Sequence, residues 1–104
     1  MAQFDVHRNP NPRTRNQVPF VVDIQNDLLD TLATRVVVPM VRASLVGRPL
    51  KDLNPTFEIE GIDVVLSTPE LAGVPRSAIG DRVGSLADRR EQVIRALDVL
   101  ISGV

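Results

Sequence analysis

Several side chains that support chemistry are missing or nearly missing from this sequence of 104 residues. It has no cysteine, no tryptophan and no tyrosine, and its only histidine is His7. The absence of cysteine excludes disulfide bonds and cysteine-ligated zinc. A lone histidine, with no second ligand at metal-binding spacing, gives little basis for a metal site or for acid–base catalysis. We expect His7 to be a solvated side chain on the outward face of a strand.

An excess of charge of one sign is also missing. The net charge is −1, and no segment carries five like charges in a row. Proteins that hold nucleic acid through its phosphates normally have a basic excess, so direct, tight nucleic-acid binding is disfavoured. Apolar runs stay well below the roughly 18 residues of a membrane-spanning helix, and the first residues lack the apolar core of a signal peptide. We therefore expect a cytoplasmic protein.

The acidic and glycine residues do not form a known catalytic or metal-binding motif. Asp23, Asp27 and Asp30 lie close in sequence, but they lack the glycine and the closing glutamate of a calcium-binding EF-hand loop. We expect them at turns and strand ends. Gly80 and Gly84 precede a predicted helix without the lysine of a phosphate-binding loop. The sequence thus predicts a protein with no catalytic residues, metal or cofactor.

Strand patterns occupy most of the first two thirds of the chain. Residues 3–7 and 20–24 predict two strands, the first with Phe4 and Val6 turned inward. The run from Val36 to Val41 is almost entirely apolar, which predicts a strand covered on both faces, with a bulge or bend at Pro39. A partner subunit is one source of such a cover. Alternating apolar residues on both sides of Glu60-Gly61 predict a hairpin with a two-residue turn.

One helix is predicted near the end of the chain. Prolines and glycines between residues 67 and 84 exclude a long helix there. Ser85 and Asp88 approximate a capping box, which places the helix start at Ser85, and Ser102-Gly103 ends it. The apolar stripe consists of Leu86, Val93, Ile94, Leu97, Leu100 and Ile101. About five strands followed by one helix predict a single α+β domain over residues 1–104.

The segment from Arg8 to Pro19 is unusually long for a loop in so small a domain. It contains three prolines and, with Arg8 included, three arginines, Arg8, Arg13 and Arg15. Loops of this length are commonly functional or disordered, and we expect this one to have little order of its own. Its positive charges would attract an acidic partner.

Short motifs along the chain occur in an order typical of one family. They are Gln3-Phe4, the segment from Phe20 to Asp30, Arg35-Val36-Val37-Val38-Pro39, Gly73-Val74-Pro75 and the closing Gly103-Val104. In their shared order and spacing over the whole chain, they resemble the CcdB family of toxins from toxin–antitoxin pairs. The resemblance implies an SH3-like β-barrel with a C-terminal helix, assembled as a symmetric homodimer. It also implies a toxin that acts by occlusion, without catalysis of its own.

The same resemblance implies two protein partners. One is the A subunit of DNA gyrase, which the toxin traps with its DNA cleaved. The positions that match the family's gyrase contacts are Gln3, Phe4, His7, Asn26, Leu28, Asp98, Ser102, Gly103 and Val104. At Ser102 the sequence departs from the best-known member of the family, which has a tryptophan at the matching position. The other partner is a CcdA-like antitoxin with an acidic, disordered tail that folds on binding, for which Arg8, Arg13 and Arg15 are the candidate contacts.

Two other functions remain open at this stage. A related toxin family with the same barrel cleaves RNA, and that chemistry needs a base, an acid and a basic groove. The single histidine and the net negative charge argue against it. A non-toxic module that only sequesters an antitoxin is compatible with every feature described above.

Overall fold

Strands dominate the computed structural model, which describes residues 1–103. They are β1 (Asp5–Arg8), β2 (Phe20–Asp23), β3 (Thr34–Arg42), β4 (Thr56–Ile59), β5 (Ile62–Leu66), β6 (Ala72–Pro75) and β7 (Arg82–Ser85), followed by helix α1 (Arg90–Ser102). Antiparallel pairing gives the order β4-β5-β3-β2-β1-β7, with β6 also paired to β3. The sheet curls into a half-barrel, which confirms the predicted SH3-like α+β fold with one C-terminal helix. Within residues 1–103, no helix has the length and apolar character needed to cross a membrane.

The long strand β3 organises the sheet. Its whole central part pairs with β2 along one edge, while β5 and then β6 pair along the other edge. Pro39 pairs with Val21 in unbroken register, so the predicted bulge or bend at this proline is wrong. The proline is tolerated because it has no strand partner on the other edge of β3. There it lies between the end of β5 and the start of β6, so no ladder hydrogen bond requires the N–H that proline lacks. There its carbonyl accepts a hydrogen bond from the Ser67 amide at 2.9 Å.

The core lies between the inner face of the sheet and α1. Because strand side chains alternate between faces, the inner face takes every second residue of each strand. The buried cluster consists of Phe4, Val6, Phe20, Val22, Val38, Met40, Phe57, Val64, Leu66, Leu86, Val93 and Ala96. Phe4 and Val6 are therefore inward, as predicted. At roughly 1.5–3 kcal/mol per buried large apolar side chain, this cluster is the main stabilising element of the domain.

Two strands were missed by the sequence prediction. Both β6 and β7 lie in the stretch rich in proline and glycine between residues 67 and 84. These strands form because their backbones pair with β3 and β1. Their sequences lack the alternating side-chain pattern that predicts a strand. Tertiary pairing here overrides local propensity.

The predicted start of the helix is wrong, whereas the predicted end is confirmed. Ser85 is the last residue of β7, and its hydroxyl accepts a hydrogen bond from the Ala87 amide at 3.0 Å. A short 3₁₀ turn follows, and α1 begins only at Arg90 without a side-chain cap. Gly103 ends the helix with φ +75°, in the left-handed conformation that glycine adopts without strain.

The hairpin turn between β4 and β5 is confirmed. Ile59 pairs with Ile62, so Glu60 and Gly61 form the two-residue turn, with φ of +51° and +78°. Positive φ at both positions is typical of a type I′ turn, whose twist matches that of the flanking strands.

Gly61→Ala provides a test of this turn. We predict that it lowers the free energy of unfolding by about 1 kcal/mol, because a side chain in the left-handed region costs about 1–2 kcal/mol. Gly47→Ala is the matched control, since at both glycines an added Cβ would meet no heavy atom within 4 Å, but Gly47 lacks a positive φ. Urea unfolding of both variants measures the difference, and equal stability of the two would contradict the assignment.

Candidate functional site

The segment between β2 and β3 has an inverted polarity. Three of its leucines face the solvent: Leu28 is 89% exposed, and Leu29 and Leu32 are each 48% exposed. Two polar side chains that precede them, Asp23 and Gln25, are buried. Monomeric proteins rarely leave neighbouring large apolar side chains exposed, so this segment is a candidate binding surface.

The contacts of this inverted segment centre on Arg35, near the start of β3. The side chain of Arg35 is completely buried. Its Nε donates to Asp23 Oδ2 at 2.8 Å, and its Nη2 lies 2.6 Å from the same oxygen. Its Nη1 donates to Asp30 Oδ1 at 3.0 Å, while Asp27 Oδ1 lies 3.9 Å from Nη2. The three carboxylates that follow one another along the chain therefore converge on one guanidinium. Their predicted roles at turns and strand ends are confirmed, with an arginine at their centre.

Amide side chains hold the same segment from its other sides. Gln25 accepts a hydrogen bond from the Val36 amide at 3.0 Å and donates to the Leu29 carbonyl at 3.0 Å. Asn26 accepts from the Leu28 amide at 2.9 Å. Near the N-terminus, the backbone amide of Gln3 donates to Asp27 Oδ1 at 2.8 Å. Three predicted site residues, Gln3, Asn26 and Leu28, are thus brought into one neighbourhood.

Asp30 is shared between two arginines. The guanidinium of Arg76 donates to the Asp30 carbonyl and lies 3.2 Å from its carboxylate. The hydrogen bond from Arg76 lowers the pKa of Asp30 below its ordinary value. The charges of Arg76, Arg35 and the N-terminal ammonium lower this pKa further, whereas burial raises it by less than the hydrogen bond lowers it. Asp30 therefore carries its negative charge throughout the neutral range.

A second group of predicted site residues lies at the end of α1. Asp98, Ser102 and Gly103 are exposed, as is Ile101, of which 80% is accessible. The Ser102 hydroxyl donates to the Asp98 carbonyl at 2.7 Å, so it folds back onto the helix. Val104, the remaining predicted contact, lies outside the described residues.

Two predicted contacts are not at the surface. Phe4 is only 6% exposed and belongs to the core. His7 is 4% exposed, which corrects the expectation of a solvated histidine. Its strand is covered on both edges, by β2 and β7, and its Nδ1 lies 3.1 Å from the Gly80 carbonyl.

The segment from Arg8 to Pro19 contains more local structure than expected. Asn9 and Asn11 form side-chain-to-backbone turns, and the amides of Arg15 and Val18 bond within the loop. Arg8 pairs with Glu60 at 2.8 Å, whereas Arg13 and Arg15 are exposed. The loop overhangs an apolar groove of about 640 Å³ on the outer face of the sheet, bordered by Val21, Val37, Pro39 and Val74. The chain's own loop thus provides part of the second cover that β3 was expected to need.

Sequence reasoning missed Arg35 and Gln25 as organising residues. Arg35 opens the long apolar run of β3, and three aspartates precede it within 12 residues. The signal that would have identified Arg35 is a charged residue at the start of a buried strand, preceded by several residues of opposite charge. Isolated charges are rarely buried without such partners.

Asp30 provides a test of this charge network through the pH dependence of stability. Because its pKa is lower in the folded chain than its unfolded value of about 3.9, its stabilising effect is complete above that value and is lost as the pH falls through the folded pKa. We predict that Asp30→Asn is less stable than wild type near neutral pH and that this difference shrinks below about pH 4.

Urea unfolding of both proteins between about pH 7 and about pH 2.5 measures this difference. Asp52→Asn, which removes the exposed carboxylate 3.0 Å from Arg95, controls for the change in net charge. A stability difference between wild type and Asp30→Asn that stays constant over the whole range would contradict the prediction.

Comparison with known proteins agrees with this arrangement of strands, helix and exposed segments. The family model described as CcdB protein matches residues 3–103, nearly the full length of the chain. The match includes the inverted segment, the loop after β1 and the end of α1. This family consists of toxins of toxin–antitoxin systems. The chain therefore belongs to the CcdB protein family.

Proposed function

We propose that this protein is a toxin that binds the A subunit of DNA gyrase, traps the enzyme with its DNA cleaved, and is neutralised by a cognate antitoxin. The observation that carries the proposal is the exposed leucine segment beside Gln3. Leu28 is 89% exposed, and the resemblance in sequence aligns it with a gyrase contact of the family. A surface of this kind gains free energy by being covered, at about 25 cal/mol per Å² of apolar area.

The end of α1 supplies the second part of the proposed gyrase-binding surface. Gly103 has no side chain and adopts φ +75°, and a Cβ built there has no heavy atom within 4 Å among the described residues. A partner backbone can approach closely at such a position. Ile101 adds an exposed apolar side chain one turn from the carboxylate of Asp98.

A catalytic mechanism is less well supported. RNA cleavage by a protein needs a base that reaches the substrate. His7 is 4% exposed and sits between two neighbouring strands, which puts its ring out of reach of a bound RNA. An inhibitor that acts by occlusion needs only complementary surfaces, and the exposed leucines and the end of α1 are the candidates for them.

We also propose that the protein acts as a cytoplasmic homodimer. The apolar run from Val36 to Val41 supports this, because the chain's own loop gives it only part of a second cover. A domain of this size buries only about 60–65% of its unfolded surface, so a symmetric interface would add the apolar burial that a single chain cannot reach.

Removal of Val104 tests the proposed action on gyrase. We predict that the shortened protein no longer kills sensitive cells and no longer stabilises cleaved DNA with purified gyrase, because a contact of the family's C-terminal tip is lost. Folding should persist, since the last residue of a chain is seldom well buried. Cell survival, a DNA cleavage assay and circular dichroism measure the three properties.

The matched control is Leu45→Ala, which removes an exposed apolar side chain, 58% accessible, from the turn after β3. That variant should kill as wild type does. If the shortened protein kills cells as well as wild type does, the proposed role of the C-terminal residues in gyrase binding is wrong. A wild-type protein without any effect on gyrase would favour the antitoxin-binding module, and RNA cleavage by purified protein would favour the catalytic alternative.

For the antitoxin, we propose binding at the loop after β1. An acidic, disordered tail is complementary to Arg8, Arg13 and Arg15, and the apolar groove beneath the loop offers a place for apolar side chains of the same tail. Exposed charges mainly accelerate association and depend on salt.

Replacing Arg8, Arg13 and Arg15 together with alanine should weaken antitoxin binding about tenfold or more at low salt, mainly through slower association. The difference should shrink as salt is raised, because exposed charges are screened. Surface plasmon resonance with the purified antitoxin measures both rates. The control replaces Arg48, Arg89 and Arg90, which lie outside the loop. Equal affinity of the two triple variants at low salt would rule out the loop as the antitoxin contact.

A further inference from the structure

The segment from Asp23 to Leu32 exposes its three leucines, while its three carboxylates converge on the buried Arg35. Such an arrangement is unfavourable unless the buried charges are paired with opposite charges. Here the pairing is provided by one residue, Arg35, whose side chain is fully buried and surrounded by Asp23, Asp27 and Asp30. The outward direction of the leucines is therefore coupled to the inward direction of the carboxylates.

The contacts of Arg35 have an inner and an outer part. Asp23, on β2, is fully buried and joins Arg35 to the sheet. Asp27 and Asp30 belong to the exposed segment itself, with 63% and 57% of their side chains accessible. Removing a partner of a buried charge is strongly destabilising, whereas exposed ion pairs contribute little to global stability. The inner part therefore supports the fold, and the outer part acts on the position of the segment.

Backbone hydrogen bonds within the segment show what the outer contacts restrain. The amides of Leu28 and Leu29 bond to Asn26, and the Leu32 amide bonds to the Leu29 carbonyl at 3.1 Å. These bonds close only a short 3₁₀ turn, which has little stability of its own. The anchorage of this turn to the rest of the domain runs through Arg35, together with Gln25, Gln3 and Arg76.

We propose that Arg35 is a positioning residue for the gyrase-binding surface: through Asp27 and Asp30 it holds the segment in the one conformation that presents Leu28, Leu29 and Leu32 outward. This inference rests on the proposed function. It adds that binding depends on a buried residue that does not itself touch the partner. The gain is preorganisation, since a segment already ordered before binding loses less conformational entropy on contact.

Asp30→Ala tests the positioning role, because it releases the outer contact and leaves the buried Asp23–Arg35 pair intact. We expect hydrogen exchange at the amides of Leu28, Leu29 and Leu32 to become about tenfold faster or more, and affinity for the A subunit of gyrase to fall about tenfold. Native-state exchange and titration calorimetry with that purified gyrase protein are the measurements. The urea midpoint should fall only by the modest amount expected for exposed ion pairs, so that the faster exchange reports local opening. Asp52→Ala, which loses an exposed ion pair elsewhere, is the control.

A second variant, Arg35→Lys, keeps the buried charge but loses the planar group that bridges three carboxylates. We expect it to show the same faster exchange and weaker binding, with a lower urea midpoint. If it fails to fold, Asp30→Ala decides alone. Unchanged exchange in Asp30→Ala would overturn the proposal. So would a loss of affinity that disappears at high salt while exchange stays unchanged, because that result would indicate a direct charge contact with gyrase.

The two proposals fail in different ways. A wild-type protein that does not bind gyrase would refute the proposed function, and the exchange experiment would still decide whether Arg35 positions the segment. Normal gyrase binding by Asp30→Ala despite faster exchange would leave the proposed function intact and refute the positioning role.

Discussion

The buried ion pair between Asp23 and Arg35 is the constraint on which the rest of this molecule depends. Both side chains are fully buried, so neither can lose its partner without leaving an uncompensated charge inside the protein. The pair ties β2 to β3, the two central strands, and it sets the direction in which the chain leaves β2. Core packing alone does not determine the path of the turn that follows, because the residues from Asp27 to Leu29 contribute no buried side chain.

The sequence predicted the parts of the fold in which side-chain pattern and structure coincide. Alternating residues identified the hairpin of β4 and β5, and Gly61 identified its turn. The pattern failed where backbone pairing decides the structure, as in β6, whose residues Ala72-Gly73-Val74-Pro75 form a strand because the edge of β3 is available to them. The prediction of a helix start at Ser85 failed for a similar reason, since a serine near a helix can end a strand as readily as it caps the helix.

The structure brings some residues of the candidate site together, but their physical roles could not be predicted from the sequence. Leu28 is exposed, and the backbone amide of Gln3 donates to the neighbouring Asp27. His7, in contrast, is buried, because β7 covers the edge of β1 that the sequence left open. The role of Arg35 emerges only in three dimensions, since its partners are distributed over a strand, a short turn and a loop.

The position of β1 between β2 and β7 has a consequence for how the protein is made. Val6 pairs with Val22 on one side and with Gly84 on the other. During synthesis from the N-terminus, one edge of β1 therefore stays unpaired until the chain has grown past β7. Unpaired strand edges are prone to association with other chains, and pairings over such sequence distances form slowly. A newly made chain would thus pass through an aggregation-prone stage before its surface leucines are in place to meet any partner.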